Sequence, residues 1–168
     1  MQALKEPQAA PQLPKPKPWI VATDGSADHI AGLGAYAWVA KDGSRAASCA
    51  PGITSTMAEW AAIHAALTAA PTDRPTIIYS DFRGAVKILN KIIAGSWHDH
   101  RATTQSPVTL AYIQSLRPLL SNKDVTIIWV RSHTGHRSSC ARLNKSADHL
   151  AKATLRNSRR IASDHYVI

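Results

Sequence analysis

A chain of 168 residues with 45% hydrophobic content and two cysteines suits one domain with a real core, and it excludes both wholesale disorder and a small disulfide-held scaffold. Its 20 Lys and Arg against 11 Asp and Glu give a net charge of +9, which argues for a polyanionic partner because clustered cations release counterions from phosphates. No apolar run is long enough to span a bilayer, and the polar, proline-rich start lacks the order of a secretory signal, so the expectation is a soluble cytoplasmic protein with no membrane partner. Cys49 and Cys140 lie far apart without metal-ligand spacing and read as simple buried thiols in a reducing compartment.

Residues 1–18 carry Pro7, Pro11, Pro14, Pro16 and Pro18 with Lys5, Lys15 and Lys17 between them, a composition that cannot bury enough apolar area to order itself. They are expected to be a disordered tail, followed by one domain over 19–158 and a C-terminal tail over 159–168. Trp19–Thr23 is a short apolar run with β-branched residues, read as a buried strand that runs into a loop, Asp24–Gly32. Gly34–Ala40 is a second strand, Asp42-Gly43 supplies a hairpin turn, and a third strand from Arg45 to Ala50 closes an antiparallel meander before Pro51-Gly52.

Thr54, Ser55 and Thr56 offer capping hydroxyls ahead of a helix over Met57–Ala70 that Pro71 stops. Glu59, in its first turn, is the only acid in that otherwise apolar helix. Pro75–Asp81 repeats the opening design, an apolar strand that ends in an aspartate, and feeds a helix over Arg83–Ile93 with Ala85, Ile88, Leu89 and Ile92 inward. A strand that returns to the same sheet through a crossover implies parallel members, hence a mixed α/β sheet. Ser96–Pro107 reads as a loop, Val108–Leu120 as a helix and Asp124–Val130 as a buried strand. Arg131–His136 follows as a loop, and a last helix, Lys145–Arg156, carries Asp148 in its first turns.

Asp24 and Asp81 each end an apolar strand; Glu59 and Asp148 each lie near the start of a helix. Taken singly, each has an ordinary structural reading as a cap or a surface ion pair. Gathered at the carboxyl edge of one sheet, where α/β folds place their sites, they would repel by several kcal/mol. Divalent cations would relieve that repulsion. Hard oxygen donors select Mg2+ or Mn2+, and a pair of such ions can activate water and steady the leaving oxygen of a phosphodiester.

The segments Thr23-Asp24-Gly25-Ser26, Met57-Ala58-Glu59, Ser80-Asp81, Trp129-Val130-Arg131-Ser132-His133-Thr134-Gly135-His136 and Asn144-Lys145-Ser146-Ala147-Asp148 stand in an order that resembles the ribonuclease H type 1 family, cellular and retroviral. The likeness covers Trp19 to about Leu155. It implies a ribonuclease H-like fold with a five-stranded mixed sheet flanked by helices, and hydrolysis of the RNA strand of an RNA–DNA hybrid to 5′-phosphate and 3′-hydroxyl ends. Asp24, Glu59, Asp81 and Asp148 match the acids that bind two Mg2+ or Mn2+ ions. His133 matches a histidine that aids proton transfer or product release, a role suited to its ordinary pKa.

For the nucleic acid, Thr54 matches a position that holds a DNA-strand phosphate, and Ser55 and Thr56 stand where many relatives carry paired asparagines that read 2′-hydroxyls. Hydroxyls make such bonds with less reach. Arg83, two residues beyond Asp81, resembles the retroviral form and suits a backbone contact, as do Gly25, Ser26 and Asn144. The basic, tryptophan-rich protrusion of several bacterial relatives is reduced here to Trp97, His98, His100 and Arg101. A monomer is expected, with replication or reverse-transcription machinery as a candidate associate. The competing readings are a silent hybrid-binding module, against which the retention of all the acids argues, and a DNA-directed nuclease or transposase on the same fold.

Overall fold

A computed structural model describes residues 16–98, 105–132 and 138–164, with side chains as far as 162. In chain order the elements are β1 (Trp19–Asp28), β2 (Leu33–Ala40), β3 (Arg45–Pro51), α1 (Ser55–Ala69), β4 (Thr76–Ser80), α2 (Arg83–Ile93), α3 (Pro107–Ser121), β5 (Val125–Trp129) and α4 (Ser139–Asp164). The strands form one five-stranded sheet ordered β3-β2-β1-β4-β5. Its meander is antiparallel, whereas β1–β4 and β4–β5 are parallel pairs, so β1 is the seam between the two halves. This is the mixed sheet of a ribonuclease H-like fold expected above.

Alternation along β1 divides its residues between two faces. Trp19 and Val21 join the main core with Trp60, Ile63 and Leu67 of α1, Ile78 of β4, Leu89 of α2, Leu116 of α3 and Ile127 of β5. Ala22 faces the other way, where most buried residues are small, Ala35 and Ala37 of β2 and Ala147 and Ala151 of α4, with Leu155 of α4 the larger one. Small residues let α4 lie close over β1, β2 and β3. One layer is thus thick and rich in large side chains, the other a thin alanine contact.

Three elements differ from expectation by more than one residue at an end. β1 does not stop at Thr23 but pairs on with β2 through Gly25↔Tyr36 and Ser26↔Ala35 to Asp28↔Leu33; the Asp-Gly-Ser signal of a turn is overridden by a partner strand able to satisfy the backbone. α1 starts at Ser55 behind Thr54, whose hydroxyl accepts from the Met57 N–H at 3.3 Å, so Glu59 opens the second turn rather than lying in the first. α4 begins at Ser139 and is 26 residues long. Asp148 therefore sits well inside it, and residues 159–164, expected as tail, are helical. Their start is tied down by Arg159 Nη1 to Asp28 Oδ2 at 2.6 Å.

Among the described residues no helix is long and apolar enough to cross a membrane. Cys49 and Cys140 are free and only half-buried, so the reading of both as buried thiols is corrected. Residues 1–15 of the tail, together with His100, Arg101 and His133, lie outside the described residues.

Candidate active site

The parallel register Thr23↔Ser80 brings the next residues of each segment, Asp24 and Asp81, side by side at the carboxyl edge of the seam. Asp24 lies on the α4 face of β1. Gly25, on the opposite face, meets the first turns of α1: a Cβ there would stand 2.5 Å from both the Ala58 carbonyl carbon and the Glu59 nitrogen. Only glycine permits that approach. The contact brings Glu59 to the same edge, and α4 brings Asp148.

Electrostatics shows that the acids are a group. Asp24, 5% exposed, is pushed up to about 8, first by burial and then by repulsion from Asp81 and Asp148; Lys152 and the Gly25 N–H act in the opposite sense. Glu59 is pushed up to about 9 by burial and then by Asp24 and Asp81, against the same Gly25 N–H. Its Oε2 is buried with no hydrogen-bond partner. Asp148 is held by Lys152 of the next helical turn, Nζ to Oδ1 2.6 Å. Among the described residues, no three His, Cys, Asp or Glu side chains are drawn together tightly enough to enclose an ion.

Around this edge stand the other residues singled out from sequence. Thr54, Ser55 and Thr56 are exposed at the start of α1, and Ser26 is half-buried in β1. Thr54 accepts a capping hydrogen bond, which leaves its own hydroxyl proton available to donate. Asn144, one helical turn before Asp148, is 5% exposed and its Oδ1 has no partner. Arg83, exposed at the start of α2, stacks on the Trp129 ring, its guanidinium carbon 5.5 Å from the centroid. Trp129 in turn donates its indole N–H to the backbone carbonyl of Asp81 at 3.1 Å.

Two participants escaped sequence reasoning. Trp129 belongs to a segment already singled out, but its exposure to 40% at the end of a core strand has no signature in periodicity. Lys152 did carry a signal, since it stands at the i+4 position from Asp148, a spacing that favours an ion pair on a helix.

A 3-2-1-4-5 mixed sheet with buried and half-buried acids gathered at its seam is that of the ribonuclease H-like class. The RNase H family model matches residues 16–156. The ribonuclease H of Tropheryma whipplei strain Twist is 32% identical over 142 residues, covering 82% of this chain and 84% of its own length; the ribonuclease H of strain TW08/27 gives the same values. The chain belongs to the RNase H family, and it is a ribonuclease H enzyme, a hydrolytic nuclease. Members of that family act on RNA–DNA hybrids and generally use divalent metal ions.

Proposed function

We propose that the chain is an endoribonuclease that hydrolyses the RNA strand of RNA–DNA hybrids with two divalent cations, Mg2+ or Mn2+, leaving 5′-phosphate and 3′-hydroxyl ends. The observation that carries this reading is the convergence of Asp24, Glu59, Asp81 and Asp148, with two of them displaced to about 8 and about 9 by burial and mutual repulsion. Such a group suits hard cations on chemical grounds. Its donors are all carboxyl oxygens, Glu59 Oε2 is buried without a partner, and added positive charge would lower Asp24 and Glu59 toward their ordinary range. When bound, the ions supply an activated water and stabilise charge on the leaving oxygen.

The chain's own residues supply the rest. Asp24, Glu59, Asp81 and Asp148 hold the ions. Thr54, Ser55 and Thr56 present hydroxyls to phosphate and to the 2′-hydroxyls that distinguish RNA from DNA. Arg83 holds backbone phosphate as a planar donor, Gly25 and Ser26 border the strand, Asn144 contacts it from α4, and His133 exchanges protons with product or solvent. The catalytic unit spans 19–158, with 1–18 an accessory cationic tail, and the protein acts as a cytoplasmic monomer.

The test is cleavage of labelled RNA–DNA hybrid, duplex RNA and duplex DNA with Mg2+ or Mn2+. Hybrid alone is expected to be cut, and Asp81→Asn to abolish cutting while hybrid binding persists. Cutting unaffected by Asp81→Asn would overturn the assignment of the acids, and cutting of duplex DNA would favour a DNA-directed nuclease.

A further inference from the structure

α4 carries a second feature that its catalytic acid does not explain. At about 100° per residue, Arg142, Lys145, His149, Arg156 and Arg160 fall within an arc of about 60° on the helix surface. All of them are exposed. The buried face of the helix, Asn144, Ala147, Ala151 and Leu155, points away from that arc. Lys152 and Arg159, nearer the sheet, are neutralised by Asp148 and Asp28. By contrast, Arg142, Lys145, Arg156 and Arg160 form no ion pair with a described residue. With about 1.5 Å of rise per residue, the row is about 27 Å long.

The direction of the row follows from its two anchors. Asp148 repels Asp24 and Arg159 is bonded to Asp28, so α4 runs alongside the second half of β1, away from the acids. A straight row of basic side chains that passes Asp148 and leads outward from the candidate active site complements a phosphate chain that also leaves that site. We propose that the exposed row Arg142–Lys145–His149–Arg156–Arg160 is a docking surface for the phosphate backbone of the nucleic acid beyond the cleaved position. The inference rests on the hybrid-cleaving reading. It would supply sequence-independent affinity to a chain in which the basic, tryptophan-rich protrusion is reduced to Trp97, His98, His100 and Arg101.

The test uses full-length protein with Asp81→Asn, so that binding is read without cleavage, and compares it with the same protein carrying R142Q, K145Q, R156Q and R160Q. Each lost phosphate contact lowers the slope of log affinity against log salt by about 0.7–0.9, so loss of four lowers it by about 3. On the Asp81 background the row is expected to leave kcat unchanged and to raise KM at moderate salt. A variant with lysine at all four positions is expected to keep the parental slope, which separates charge from folding. If the four-fold variant does not fold, R142Q/K145Q and R156Q/R160Q are tested separately, each expected to lower the slope by about half as much. A slope equal to the parent's overturns the proposal. So does a loss of binding confined to anionic phospholipid vesicles, which would assign the row to a membrane surface. Failure of the Asp81 protein to cut hybrid strikes only the hybrid-cleaving reading, because the slope is measured by binding alone.

Discussion

Asp24 and Glu59 hold protons in the folded chain at pH values where an exposed carboxyl has lost them. Between the ordinary carboxyl range and about 8, the native state therefore binds more protons than the unfolded one, and the free energy of unfolding falls as pH rises. In chelator, the melting temperature is expected to drop from pH 5 to pH 8. Asp24→Asn should flatten that drop and stabilise the protein by roughly 1–3 kcal/mol at pH 8; a steeper drop in the variant would contradict the direction of the shift. Trp129 permits a second test. Trp129→Phe keeps a ring under Arg83 but deletes the donor to the Asp81 carbonyl, a net loss of about 1 kcal/mol. It is expected to reduce kcat/KM about threefold to tenfold and to lower the melting temperature by only about 2–4 °C, because the side chain is outside the core. Asp24, Asp81 and Glu59 stand out in sequence, because a lone carboxyl at the end of an apolar strand or in an apolar helix is conspicuous, whereas Asp148, in a polar helix, stands out only by its place in the family-like segment Asn144–Asp148. Gly25 was singled out for approach to nucleic acid. The steric reason for glycine there is backbone from another element, which no local pattern announces.

Among the elements, α2 was legible to the residue, because its apolar positions repeat at helical spacing between clear ends. α4 was not. Its first turns, Ser139-Cys140-Ala141-Arg142, carry little apolar signal, and Ser138 supplies the start by accepting from the Ala141 N–H at 3.3 Å. The end of β1 is not legible locally, because Asp-Gly-Ser is a turn signal unless another strand pairs with it. A long-range cap also escaped: Lys123, just before β5, donates its Nζ to the Leu67 and Ala70 carbonyls at 2.6 Å each. These are carbonyls that the end of α1 leaves without helical partners. Lys123→Met is expected to cost about 1–2 kcal/mol and to lower the melting temperature by several degrees, with kcat unchanged. A melting temperature equal to that of the parent would mean that water satisfies those carbonyls equally well.

For the molecule as a whole, 20 cations outnumber 11 acids, and four of those acids, Asp24, Glu59, Asp81 and Asp148, gather at one edge of the sheet. Part of the surplus lies in residues 1–18, where Lys5, Lys15 and Lys17 outnumber Glu6. Deleting them is expected to weaken hybrid binding at moderate salt about threefold to tenfold and to lower the salt slope by about 2; unchanged binding would make the segment inert. Fold class and the order of the chemistry-bearing segments could be read from the sequence. The thinness of the α4 layer could not, because alanines on a strand and on a helix show their complementarity only once they face each other.

The contact at Gly25 is between main chains, not between side chains. Core residues can be exchanged for others of different volume, and helices resting on flexible side chains then drift by fractions of an ångström. β1 and α1 lack that slack where they meet, because peptide groups do not change with sequence. The spacing of Asp24 and Glu59 is consequently gauged by the backbone itself, and it is kept while the surrounding core diverges.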